Sequence, residues 1–223
     1  MKKKTSLIKL SFQGFFALIK EPALWPKALA VNLIFYLLFI TFFYVGFEAF
    51  SSFAKDSFFQ KQVDFGLIGG VFFSLVLFFF FLIPIWNLFS LSSFWINTDK
   101  KIPLKSKIKI IKKAFLETLL IKLTLIAIAC ITTYFLGAIA FLIFFVFLAF
   151  MITFESLLIG FLLDEVSLLK RRELLKKSLI PLFFVCIVEG IFGFFSFLTI
   201  LLWLFWMPSL FAGGRSWAKE LNQ

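Results

Sequence analysis

The sequence predicts an all-α integral membrane protein: two transmembrane helices, two re-entrant helical hairpins that insert only partway, and amphipathic helices lying in the interface. Three observations carry this. Of the 223 residues 62% are apolar and 38 are phenylalanine, more apolar surface than a soluble domain can hide. Residues 28–47, 65–98 and 123–154 hold no charge, and 178–214 hold only Glu189, the mark of segments that enter a bilayer. Lys and Arg gather at the ends of these runs, where cytoplasmic flanks carry them.

The net charge of +11 therefore reads as a positive-inside signal with attraction to anionic headgroups, and nucleic acid is not an expected partner. The chain has no histidine, the usual general base. Its carboxylates are scattered, and no Gly-rich phosphate loop or nucleophile elbow occurs. These absences predict neither an enzyme nor a cofactor or metal site. Cys130 and Cys186 stand inside apolar runs and read as buried, reduced thiols, with a disulfide the alternative.

Taken in order, residues 5–20 place Ser6, Lys9, Gln13 and Lys20 near one helical face, which predicts an interfacial helix ended by Pro22. Residues 28–47 predict the first crossing. Only Lys55 and Lys61 are basic between Glu48 and Asp64, which places that connection outside. Residues 65–93 predict a second crossing with a kink or break at Pro84, where a backbone donor is lost. Residues 99–122 carry eight lysines against two acids, and apolar residues at helical spacing over 103–118 predict a basic interfacial helix on anionic lipid.

The uncharged run of 32 residues from Leu123 to Phe154 is too long for one crossing and too short for two, a single crossing needing about 20. The basic flanks on either side, up to Lys122 and again within 155–177, put both ends in the cytoplasm. The chain must enter and return, with Gly137 at the tip. Arms of roughly 21–26 Å fall short of a ~30 Å core, so 119–154 reads as a re-entrant hairpin; two short spans in thinned lipid are the alternative. Residues 155–177 read as a cytoplasmic segment. The same logic makes 178–214 a second hairpin, turning at Glu189–Gly193. Hairpin tips leave orphan backbone groups in lipid, so oligomerisation or a water-filled path is expected.

The stretch FFALIKEPALWPKALAVNLIFYLL and the closing MPSLFAGGRSW resemble the CysZ and EI24-like membrane protein family of sulfate-permease type. Pro22, Leu24 and Asn32, then Pro208, Ala212, Gly213 and Trp217, fall where that pattern would put them. The resemblance implies two long crossings with partly inserted hairpins in an oligomer of a bacterial inner membrane, and transport of sulfate. It also implies an anion-binding turn at Ala23, Leu24, Trp25 and Lys27. In the family that turn offers Gly, Leu and two arginines, whereas here Pro26 and Lys27 close it. One ammonium is a poorer oxyanion ligand than two guanidinium forks.

Lys27 is a candidate anion ligand, or else a positive-inside anchor. Glu189 is an intramembrane acid and so a functional candidate, with Arg215 as its conceivable partner; its alternative is a cap on a turn. Asn32 and Asn87 are polar candidates whose plainer reading is an interhelical hydrogen bond or a solvated helix end. Two functions follow: a permease for a small oxyanion, sulfate first, or a membrane scaffold that moves nothing.

Overall fold

The computed structural model describes residues 25–54, 65–93 and 103–198, and in the C-terminal segment Trp206, Leu210, 213–215, 217–218 and 221–222. The interfacial helix expected at 5–20 lies outside the described residues, as do Ala23 and Leu24. Among the described residues there is no strand. The helices are α1 (Trp25–Ala54), α2 (Phe65–Leu77) continued by a π-helical turn (Phe78–Leu82) into α3 (Ile83–Ser93), α4 (Leu104–Leu136), α5 (Ala140–Leu163) and α6 (Leu168–Leu198). Five segments are long and apolar enough to cross a membrane: Leu29–Ser52, Phe65–Leu88, Leu104–Leu136, Leu142–Leu163 and Leu168–Phe195. Together they describe a multi-pass membrane protein.

α1 and α2 form an antiparallel hairpin seamed by glycines. A Cβ on Gly46 would lie 2.5 Å from the carbonyl oxygen of Gly69, and one on Gly70 would sit 3.0 Å from the Phe43 ring. In lipid, helices gain no hydrophobic force toward one another, so this backbone approach and its dispersion contacts hold the pair. The far face of α1 exposes Leu33, Ile34, Leu37, Ile40 and Tyr44, as a lipid-facing surface would.

Pro84 does not break the second rod. The Ile83 N–H reaches back five residues to Phe78 O, and this π-turn shifts the hydrogen-bond register just ahead of the missing donor. Phe78 then meets Phe39 of α1 (centroids 5.4 Å apart) and Phe144 of α5 (6.4 Å). A phenylalanine cluster thus joins three helices at the core.

α4 is one helix of 33 residues, about 50 Å long. The expected boundary between an interfacial helix ending at 118 and a hairpin arm beginning at 119 falls inside it. The tip is where the sequence placed it: Gly137 has φ 56° and the chain reverses through Gly137–Ile139. α5 then continues past Glu155 to Leu163, and residues 151–161 are all buried. The stretch that follows Phe154 is therefore not a hydrophilic segment until Asp164. The expectation of short arms took the first charge on each side as the end of a helix, and here it is not.

α5 ends in a Schellman arrangement. Glu165 adopts φ 53°, Val166 N donates to Phe161 O at 3.0 Å, and Glu165 N approaches Leu162 O at 3.4 Å, which satisfies the last carbonyls. α6 runs antiparallel to α5 and unbroken through Pro181 to Leu198, so the turn expected at Glu189–Gly193 is a correction. Those glycines serve contact instead. A Cβ on Gly190 would sit 2.6 Å from Val146 Cα, and Gly193 makes room for the Trp206 ring. Trp206 Nε1 donates to Glu189 O at 2.9 Å, and a Cβ on Gly214 would sit 2.6 Å from Thr153 O. Gly160 packs on Ala218. The C-terminal residues therefore return beside α5, parallel to it.

Candidate functional site: a buried ion pair in the α4–α5 hairpin

Lys122 stands mid-way along α4 and Glu155 two-thirds along α5. Their side chains are both 0% exposed, and Nζ lies 2.8 Å from Oε2. The hairpin explains the meeting: Lys122 is fifteen positions before Gly137 and Glu155 eighteen after it, so folding at the glycine brings them level. The Phe115 ring, two turns earlier on α4, covers the ammonium with its centroid 4.3 Å from Nζ. Phe115 is held edge-on by Phe80 of the π-turn, 5.7 Å away. The ammonium is thus bracketed by a carboxylate and a ring face, both favourable to a desolvated cation.

The polar capacity around this pair is unevenly used. Thr118 lies one turn from Lys122, but its hydroxyl donates to Ala114 O at 2.9 Å and Phe115 O at 3.1 Å, and so is spent on its own helix. Glu155 Oε1 and the buried Ser156 Oγ have no hydrogen-bond partner among the described residues. Each such atom in an apolar interior costs about 1–3 kcal/mol. Gly214 presses on Ser156 from the C-terminal segment, and the next residue, Arg215, is 4% exposed with its Cα 3.7 Å from where a Cβ on Gly160 would be.

A second bridge stands on the outer part of α4 and α6. Arg171 Nη1 donates to both oxygens of Glu117, at 3.2 and 3.3 Å. Around it the surface is basic: Lys105, Lys109, Lys112, Lys113, Lys170, Arg172, Lys176 and Lys177 are exposed on the same two helix ends. Lys170 Nζ donates to Asn222 Oδ1 at 2.9 Å, which ties the C-terminal segment to this end. Lys113 and Lys122 are nine residues apart on α4, about 14 Å of helix. A basic surface and a buried lysine therefore share one element.

The residues singled out from sequence fall elsewhere. Trp25 and Lys27 open α1, and Ala23 and Leu24 of the expected anion turn lie outside the described residues. Asn32 on α1 and Asn87 on α3 are both 0% exposed. Phe35, one turn after Asn32, meets Trp86, the residue before Asn87, edge-on at 6.1 Å. Glu189 is half-buried within α6, where its carbonyl receives Trp206. Arg215 packs against Gly160 of α5.

Sequence reasoning missed Lys122 and Glu155 because it used them as the borders of the uncharged run. The available signal was their opposite charge at near-equal distances from a glycine tip. No protein-family model, curated protein or solved structure matches the chain.

Proposed function

We propose that the chain is a permease of a bacterial inner membrane that carries a small inorganic oxyanion, with sulfate the first substrate to test, working as a homo-oligomer. The observation that supports this most is a lysine ammonium at zero exposure inside a helix long and apolar enough to cross a membrane. An ionisable group at that depth is expensive and commonly marks a substrate path. The resemblance of the chain ends to sulfate permeases points the same way. In this reading the basic ends of α4 and α6 raise the local anion concentration, and Lys122 is the cation an anion meets inside. The α4–α5 hairpin enters from the basic side and turns at Gly137. Because Lys122 and Glu155 neutralise each other, the hairpin can cross fully, so re-entry is not required.

A second reading, a scaffold that moves nothing, draws on the same pair: Glu155 and Phe115 occupy the ammonium as a clasp would. Uptake of labelled sulfate into proteoliposomes separates the two. Saturable uptake that Lys122→Met abolishes supports the permease. A folded, reconstituted protein with no uptake above empty vesicles overturns it.

A further inference from the structure

We infer that Glu155 is an internal stand-in for the transported anion: it holds Lys122 in the unliganded protein and must yield it to an incoming oxyanion. The inference rests on the permease reading and adds a role which that reading does not require.

The geometry carries it in three steps. Lys122 Nζ lies 2.8 Å from Glu155 Oε2, yet neither Nζ nor either carboxylate oxygen makes a well-directed hydrogen bond among the described residues. A purely structural buried carboxylate normally has its remaining lone pairs satisfied, because breaking even is otherwise difficult. This one is held by charge attraction without a well-directed hydrogen bond, which leaves the contact displaceable. A tetrahedral inorganic oxyanion presents acceptor oxygens in more directions than the planar carboxylate of Glu155, so it can align with ammonium donors that the carboxylate leaves unmet. The Phe115 ring covers the ammonium and leaves carboxylate and ligand to compete for what remains.

The competition makes an unusual prediction: removing a charged residue from the site strengthens ligand binding. Glu155→Gln keeps the side-chain size and deletes the rival charge. The measurement is thermal unfolding of the detergent-solubilised full chain in sodium sulfate against sodium chloride at equal ionic strength. It is run on wild type, Glu155→Gln, Glu155→Asp and the double variant Lys122→Met/Glu155→Gln. The sulfate concentration for half-maximal stabilisation should fall about tenfold or more in Glu155→Gln, since a like charge beside the ligand is gone. Glu155→Asp, which withdraws the carboxylate by one methylene, should fall between and covers the case in which the glutamine variant does not fold. The double variant should lose the sulfate response.

Unchanged sulfate midpoints in the folded single variants, with wild-type uptake intact, overturn the stand-in role and leave the permease standing. No sulfate response in any variant, together with no wild-type uptake, overturns both.

Discussion

The α1–α2 hairpin and the α4–α5 hairpin join apolar helices by opposite means. Among the described residues the first has no buried charge on its seam: Gly46, Gly66, Gly69 and Gly70 bring the backbones together, and rings of Phe43 and Phe50 fill the remainder. The second is closed by Lys122 and Glu155, a pair that must desolvate before it can attract. Close approach costs little and holds well in lipid, so a hairpin that needs only stability can be built as α1–α2 is. A charge pair in the same setting adds expense without being necessary for association. On the permease reading, function belongs to the α4–α5 hairpin and support to α1–α2.

The largest expected effect tests the charged seam. Lys122→Met strands Glu155 in an apolar interior and should cost about 3–5 kcal/mol of stability. The double variant Lys122→Met/Glu155→Leu removes both charges at similar volume and should return to within ~1 kcal/mol of wild type or exceed it. Thermal or denaturant unfolding in detergent measures both. Recovery of stability without recovery of uptake would separate what the pair does for function from what it does for folding. A double variant as unstable as the single would mean that packing at these positions, rather than charge, matters.

The glycine seam should respond to size. Gly69→Ala puts a methyl 2.5 Å from Gly46 O and against Phe50. A backbone carbonyl cannot step aside as a flexible side chain can, so α1 and α2 must separate. Overpacking of this kind costs about 1–3 kcal/mol. On the permease reading the sulfate response in the folded fraction should be unchanged, since Lys122 and Glu155 stand on other helices. A loss of response at full stability would break the division of labour between the two hairpins.

These two seams were unequally legible in the sequence. The helical class and the hairpin tip at Gly137 could be read because uncharged length and a lone glycine leave few alternatives. Helix ends could not, for a specific reason: a charge reads as a helix leaving the bilayer unless its partner is known. Lys122 and Glu155 are 33 positions apart, and only the folded hairpin cancels one against the other. Gly190 and Gly193 misled in the converse direction. Glycine signals either a turn or a close approach, and here Val146 and Trp206 take up the space. Trp206 approaches Glu189 only because the C-terminal residues return along α5, a tertiary fact that no local pattern contains.

The two turns that flank α5 repeat the comparison on a smaller scale. At the tip, Gly137 has φ 56° and ψ −131°, a combination that disfavours any side chain, and nothing lies within 4 Å of where a Cβ would be. Gly137→Ala therefore tests backbone strain alone and should cost roughly 1–3 kcal/mol, read as a lower unfolding midpoint. An unaffected midpoint would mean that the reversal relaxes freely.

At the basic end, Glu165 fills the left-handed position of the Schellman turn, φ 53°, where glycine is the usual occupant. The residue is exposed, so replacing it removes no buried contact. Glu165→Gly relieves the Cβ strain but also frees the unfolded chain, and the two partly offset. The net expectation is stabilisation of at most about 1 kcal/mol, the smallest effect here and opposite in sign to Gly137→Ala. The sign is the informative part. Destabilisation by Glu165→Gly would show that the carboxylate itself contributes at this end, among the lysines of α6, and the basic surface would then be tuned by its acids rather than merely interrupted by them.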